Sequence, residues 1–456
     1  MRCARLTRPL IALSALLLAA PTQAADDAFD WGADLRLRHV SIGNVGFNSD
    51  SPTAERNFQR YRARLWGGYE IDPGVRLDAR LIWEGRHYVL PTPGGWPLPG
   101  FERNYSGGVL FDRLVFTLEE PGGLPLTLKL GRQDLIFGNG WLVLESSPFD
   151  GSRSIYFDAA RATLDLPGDT QLDLVYIDQS ADTGRFPQAL NGELEDQVEQ
   201  HESGVILYAR NRALIPGADL DGYFIYKHAR PNETPDNLRF NNGYPFTSPT
   251  EHGDVYAAGA RIDTPLAERW RLRAEGVYEW GTRNGRDLDA LGFNSRLTLN
   301  LGGGLDSKLH LDYEYLSGDD PDSAGDQAFD PLWGRWPQWS ELMIYQWPLE
   351  TRVGEASNLH RANLGWIAQL LPSTRLTLDY HALWADQHST RSAAQLANIS
   401  GAGDFRGHLF TAWIKTRFND HLAGHLMAEY LQPGDYYAAH RRDNGYFVRA
   451  ELTLSW

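Results

Sequence analysis

The chain ends on NGYFVRAELTLSW (444–456), in which Tyr446, Val448, Ala450, Leu452, Leu454 and Trp456 alternate with Arg449, Glu451, Thr453 and Ser455. A strand has period two, so one face of this segment is apolar and the other carries charge. The same alternation recurs along the chain. DLRLRHV sets Leu35 and Leu37 against Arg36 and Arg38; RLRAEGVYEWG sets Leu272, Ala274, Tyr278 and Trp280 against Arg271, Arg273, Glu275 and Glu279. KLHLDYEYL does the same with Leu309, Leu311, Tyr313 and Tyr315 against Lys308, His310, Asp312 and Glu314. Such charge-rich faces do not suit the inner layers of a soluble sandwich. They suit a barrel in a membrane, apolar toward lipid and polar toward a lumen. Closure is what permits it, because lipid offers no partner to an open edge.

Met1–Ala24 has the form of a secretory signal peptide: Arg2, Arg5 and Arg8, then an apolar core from Leu10 to Ala20, then Thr22-Gln23-Ala24. The core is about half of a spanning helix. Its removal takes away Cys3, the one cysteine, and leaves 25–456 as a single domain without thiol chemistry. It also leaves 40 Lys+Arg against 59 Asp+Glu, a net charge of −19 that argues against a nucleic-acid partner. Breaker residues mark eight short turns, near Pro73-Gly74, Pro121-Gly122, Pro167-Gly168, Pro216-Gly217, Thr264-Pro265, Gly302-Gly303, Pro372-Ser373 and Asn419-Asp420. Nine longer stretches alternate with them, the shortest at 284–289 and the longest at 317–356. The expectation is an all-β, transmembrane antiparallel β-barrel of about 18 strands, with short periplasmic turns and longer extracellular loops, in the bacterial outer membrane among its lipid and lipopolysaccharide.

With apolar faces outward, the first three strands turn Arg36, Arg38, Arg60, Arg62, Arg64, Arg76, Arg80 and Arg86 into the lumen, against Asp34, Glu70, Asp78 and Glu84. Arg113, Lys129, Arg161, Arg273, Arg296 and Arg449 follow on later strands. One reading is a cross-strand ladder of ion pairs that stiffens the wall. The other is an electropositive constriction that draws in anionic solutes, for which planar arginine suits carboxylates better than lysine does. Acid gathers instead in loops, at 193–202 and at 317–330, where solvated loops and divalent-cation binding are the alternatives; no strict calcium-loop spacing is present. No catalytic motif, cofactor site or paired cysteine is found, so the reading is of a non-enzyme.

Several stretches resemble the alginate-export family of outer-membrane proteins: LGRQDLIFGNGWL (130–142), RSIYFDAARATL (153–164), GDDPDSAGDQAFDPLWGRWPQWSEL (318–342), GEASNLHRANLGW (354–366) and LQPGDYY (431–437). The resemblance implies a monomeric 18-stranded barrel whose arginine-lined pore passes a polyuronate. It also implies pore arginines at Arg132 in GRQ, Arg161 in FDAAR and Arg352 before GEASNL. The pattern departs at HLMAEYLQPGD, where the alginate exporter has an arginine and this chain has Met427 and Glu429. Trp333, Arg335, Trp336 and Trp339 form either a saccharide-stacking loop or a packed lid. The resulting expectation is a channel for anionic saccharide with Arg38, Arg62, Arg64, Arg80, Arg132, Arg161 and Arg352 lining it, and a periplasmic secretion complex as a partner on the short-turn side. The alternatives are a general or small-nutrient porin with weak anion preference, a barrel enzyme and a plugged receptor.

Overall fold

Each alternating segment pairs with its sequence neighbour, and the last pairs with the first. The computed structural model describes residues 28–51, 54–90, 104–144, 156–180, 186–191, 201–231, 252–334, 337–346, 356–388 and 397–456. The strands are β1 (Phe29–Gly43), β2 (Arg56–Asp72), β3 (Val75–Leu90), β4 (Asn104–Ser106), β5 (Leu110–Glu119), β6 (Leu126–Gln133), β7 (Phe157–Leu166), β8 (Thr170–Gln179), β9 (His201–Asn211) and β10 (Asp219–Arg230). They continue with β11 (Gly253–Ala267), β12 (Trp270–Arg283), β13 (Arg286–Gly302), β14 (Ser307–Leu316), β15 (Leu359–Leu371), β16 (Thr374–Trp384), β17 (Phe405–Arg417), β18 (Leu422–Pro433) and β19 (Gly445–Ser455). β4 and β5 both pair with β3, one beyond the other, and together make a single stave. Eighteen antiparallel staves therefore close into a barrel, sealed where β1 pairs with β19 from Asp34–Ser455 to Gly43–Tyr446. The signal-peptide segment 1–24 lies outside the described residues.

Exposure alternates as the sequence requires. Leu37, Leu311, Leu364, Leu426, Val448 and Leu452 stand on the outer face, while Arg36, Arg38, Asp312, Glu429 and Arg449 are buried on the inner one. Outward aromatics such as Tyr226, Tyr256, Tyr278 and Trp280 stack on one another across β10–β12, in the manner of an interfacial girdle.

Two connections differ from the sequence reading. The 284–289 stretch is a two-residue hairpin, with Asn284 and Gly285 at φ 54 and 78, and β13 begins at Arg286. Asn-Gly is the sequence that accepts two positive φ angles at a strand-matched turn. β11 also runs through Pro265 to Ala267, with an irregularity in the register between them, where a missing N–H is tolerated.

Leu311 is 54% exposed and faces outward between Leu297 and Leu364. Leu311→Arg is expected to cost about 2–4 kcal/mol, the range for a cation near the bilayer midplane. Denaturant unfolding of the protein in lipid vesicles measures it, and an unchanged midpoint would place this face away from lipid.

Candidate functional site: an inner wall of ion pairs and two inner loops

The lumen begins with the strand register, which puts cations opposite cations. Arg38, Arg60 and Arg86 form one row across β1–β3, and Arg36 faces Arg62. Arg80 faces Arg113, Lys129 faces Arg161, Arg273 faces Arg296 and Arg375 faces Lys415. Among the described strand pairs, carboxylates oppose each other only at Asp219–Asp263.

Ion pairs answer this repulsion, some directly opposite in the register and some diagonal. Asp34 lies 2.5 Å from Arg64 and 3.3 Å from Arg62, Glu451 lies 2.5 Å from Arg38, and Glu84 lies 3.1 Å from Arg60. Arg80 reaches Asp112 and Asp134, and Arg113 also binds Asp134. Asp173 takes both Arg161 and Arg210, at 2.8 and 2.7 Å. Side-chain length then decides what the lumen sees. Of Arg64, Arg113, Arg161 and Arg210, 24, 37, 20 and 29% of the side chain stays accessible, against 4, 17 and 0% for Asp34, Asp134 and Asp173. The short acids are recessed at the wall, and the long guanidiniums cover them. The ion-pair ladder thus leaves the guanidiniums as its more accessible side.

Arg38, Arg62, Arg64, Arg80 and Arg161 all lie on this inner face. Arg132 is paired in the ladder with Leu114 and Asp158. Gly131, at φ 121, distorts the strand just before it. The Arg132 guanidinium is held bidentately by Asp158, donates to the Phe111 carbonyl and covers the Tyr156 ring. Arg352, Arg335 and Trp336 lie outside the described residues, as does the acidic stretch from 193 to 200.

Sequence reasoning offered a packed lid at Trp333 and Trp339 as one alternative, without the residues that receive it. Residues 134–144 after β6, and 317–334 with 337–346 after β14, fold inward and interlock. The Trp333 N–H donates to the Leu142 carbonyl, Gln338 donates to the carbonyls of Asn139 and Gly140, and Trp141 stacks on Phe329. Both loops grip inward side chains: Phe137 stacks on Tyr208, Arg261 donates to Asn139, Lys227 meets Asp330 at 2.6 Å, and Arg283 binds Asp326. Two lumen-facing glycines make room. A Cβ at Gly204 would strike Trp333, and one at Gly292 would strike Phe329 and Trp141. A signal for this was present, because Val40, Ile42, Val175, Ile177, Ile206 and Ile225 are apolar on the inner face as well. Such positions need something apolar inside the barrel.

The same contacts place several residues of the two loops. Trp333 is buried, donates its indole N–H to Glu202 and sets its edge on Phe157. It is a lid residue, with no ring face offered to a sugar. Trp339 packs against Arg361 and His381. Asp319, Asp326 and Asp330 are committed to Arg286, Arg283 and Lys227, and among the described residues no group of three or more metal-ligating side chains occurs. The histidine pairs that a barrel enzyme would require do exist, Ser180–His201 at 3.0 Å and His360–Asp386 at 3.1 Å. His360, however, lies on the outer face, bonded to Tyr313 among its aromatics.

Asp330→Ala leaves the Lys227 ammonium buried without its carboxylate, a loss expected to cost about 3–5 kcal/mol at the inner loop. Limited proteolysis of the folded barrel should then cut within 317–346 where the unaltered protein resists. Equal resistance would show that the pair does not hold the loop.

Solved structures similar to this one are outer-membrane proteins of Pseudomonas aeruginosa. OccK5 (OpdH) is 14% identical, with 93% of this chain and 98% of that chain covered and a TM-score of 0.53. OpdK with vanillate is 12% identical, with 94% and 99% covered and a TM-score of 0.54. OpdO is 14% identical, with 94% and 97% covered and a TM-score of 0.54. At such identities the likeness concerns the fold. No curated protein matches the chain. The family model described as Alginate export matches residues 114–450. This outer-membrane, porin-like barrel therefore belongs to the alginate-export family.

Proposed function

We propose that the chain is a passive outer-membrane channel for anionic saccharides, polyuronates or their oligomers, which pass along the arginine surface of the lumen. The register carries the reading. Like charges directly opposite on a sheet are destabilising, yet beside its opposite-sign pairs this barrel sets two cations opposite each other at several positions, and only one pair of carboxylates. Guanidiniums with an accessible edge hold carboxylates through paired N–H donors. Many such contacts of similar strength, spread over β1–β9, let a charged chain exchange one for the next without being trapped. Direction follows the gradient and whatever complex docks at the periplasmic turns.

A second reading is a porin for small carboxylates. It is favoured by the interlocked inner loops, which occupy part of the bore.

Reversal potentials in a salt gradient and block of single-channel current test both. The unaltered protein is expected to prefer anions, and to be blocked by oligouronates but not by neutral oligosaccharides of equal length. The triple variant Arg64→Gln, Arg113→Gln, Arg161→Gln should lose the preference and need about tenfold more oligouronate for half block, equivalent to one charge-assisted hydrogen bond of about 1.5 kcal/mol. Block by monouronate as strong as by the oligomer would favour the small-carboxylate porin. Indifference to every anion would refute both.

A further inference from the structure

We propose that Glu429 is the positioning residue that holds the tip of the inner loop across the lumen and so sets the bore of the channel; the inference rests on the channel reading above. Glu429 stands on β18 with Thr411 and Phe447 as its ladder partners, which places it inside the barrel, and it is buried. It makes no ion pair in the described structure. Its carboxylate instead receives three donors from the loop tip: the Ser340 hydroxyl at 2.5 Å, the Leu342 N–H at 3.0 Å and the Glu341 N–H at 2.8 Å. The Ser340 oxygen in turn accepts the Met343 N–H at 3.1 Å. These bonds gather the first turn of a five-residue helix, α1 (Leu342–Gln346). A helix that short does not persist by itself, so its place depends on what grips it.

The grip spans the lumen. Upstream, Asp326 and Asp330 fasten the same loop to Arg283 and Lys227 on β12 and β10. At the tip, Glu429 and the Arg449–Glu341 pair at 3.0 Å fasten it to β18 and β19, while Leu342 packs near Phe47 and Gly445. A loop tied at two separated arcs of one wall acts as a strap, and the Glu429 tie receives more hydrogen bonds than the other tip contacts. The same bonds direct this carboxylate at loop donors, which keeps its charge away from the cationic surface used by the solute.

Glu429→Gln changes the charge and little of the shape, yet its amide nitrogen cannot accept, so one oxygen must serve three donors. Single-channel recording of the refolded full barrel reads the consequence. The uniform conductance level of the unaltered protein should be lost, replaced by larger and fluctuating levels, with weaker block by oligouronate. Ser340→Ala, placed in the loop where barrel assembly is not at stake, should give the same change in lesser degree. Because both substitutions break the Ser340–Glu429 contact, the effect of the double variant should be smaller than the sum of the two single effects, whereas independent packing defects would add. Unchanged conductance in both single variants, or additive effects in the double, would overturn the strap. A protein that conducts nothing even unaltered would overturn the channel reading itself, a distinct result from an open channel that ignores Glu429.

Discussion

Everything in this molecule depends on the seam between β1 and β19, where ten consecutive register pairs join residues 34–43 to residues 446–455. In lipid an unpaired row of backbone groups costs several kcal/mol for each group. A sheet with eighteen staves therefore has no stable open form there, and closure fixes the handedness of every face at once. The terminal strand cannot slip by one residue without turning Arg449 and Glu451 to lipid and Leu452 to the lumen. Glu451 then supplies the carboxylate nearest Arg38, so the seam also completes the charge arrangement of the first wall.

The lumen surface follows from a difference in length between two side chains. Asp34, Asp112 and Asp173 end one methylene from the backbone, whereas arginine carries its charge at the end of a long stem. Pairing them on a concave wall puts anion below and cation above. The cations outnumber the acids on the first wall and around Asp173, and the guanidiniums are the more accessible partners. This is why the negative formal charge of the whole chain says little about its pore.

The fold and the inward arginines were legible because period two is a local property, and residues such as Arg36, Arg62 and Arg161 follow it without interruption. The face of Arg132 was not legible from period two, because the positive φ at Gly131 interrupts the alternation just before it. The Asn284-Gly285 hairpin was written in two letters and hidden by the polar residues after it. The packing of Trp333 depends on Glu202 and Gly204, more than a hundred residues away, and no local pattern predicts such an encounter. Inner-face apolar residues at Ile206 and Ile225 were the available hint, since a water-filled lumen has no use for them.

Those residues also explain how a barrel that must keep a path open can hold two loops within it. The inner ends of the loops bury Phe137, Leu142, Phe329 and Trp333 against Val175, Ile177, Ile206 and Ile225, forming a small apolar core inside the wall. Such a core is non-directional and would tolerate several placements of the same loop. The directional bonds remove that freedom: Lys227 to Asp330, Arg283 to Asp326, Glu202 to Trp333 and Glu429 to the turn at Ser340. A buried ion pair adds little net stability when measured against an apolar substitute, but breaking one partner is costly. These pairs therefore select one loop position among several that burial alone would allow. The apolar contacts bring the loops inside, and the polar ones decide where the remaining opening lies.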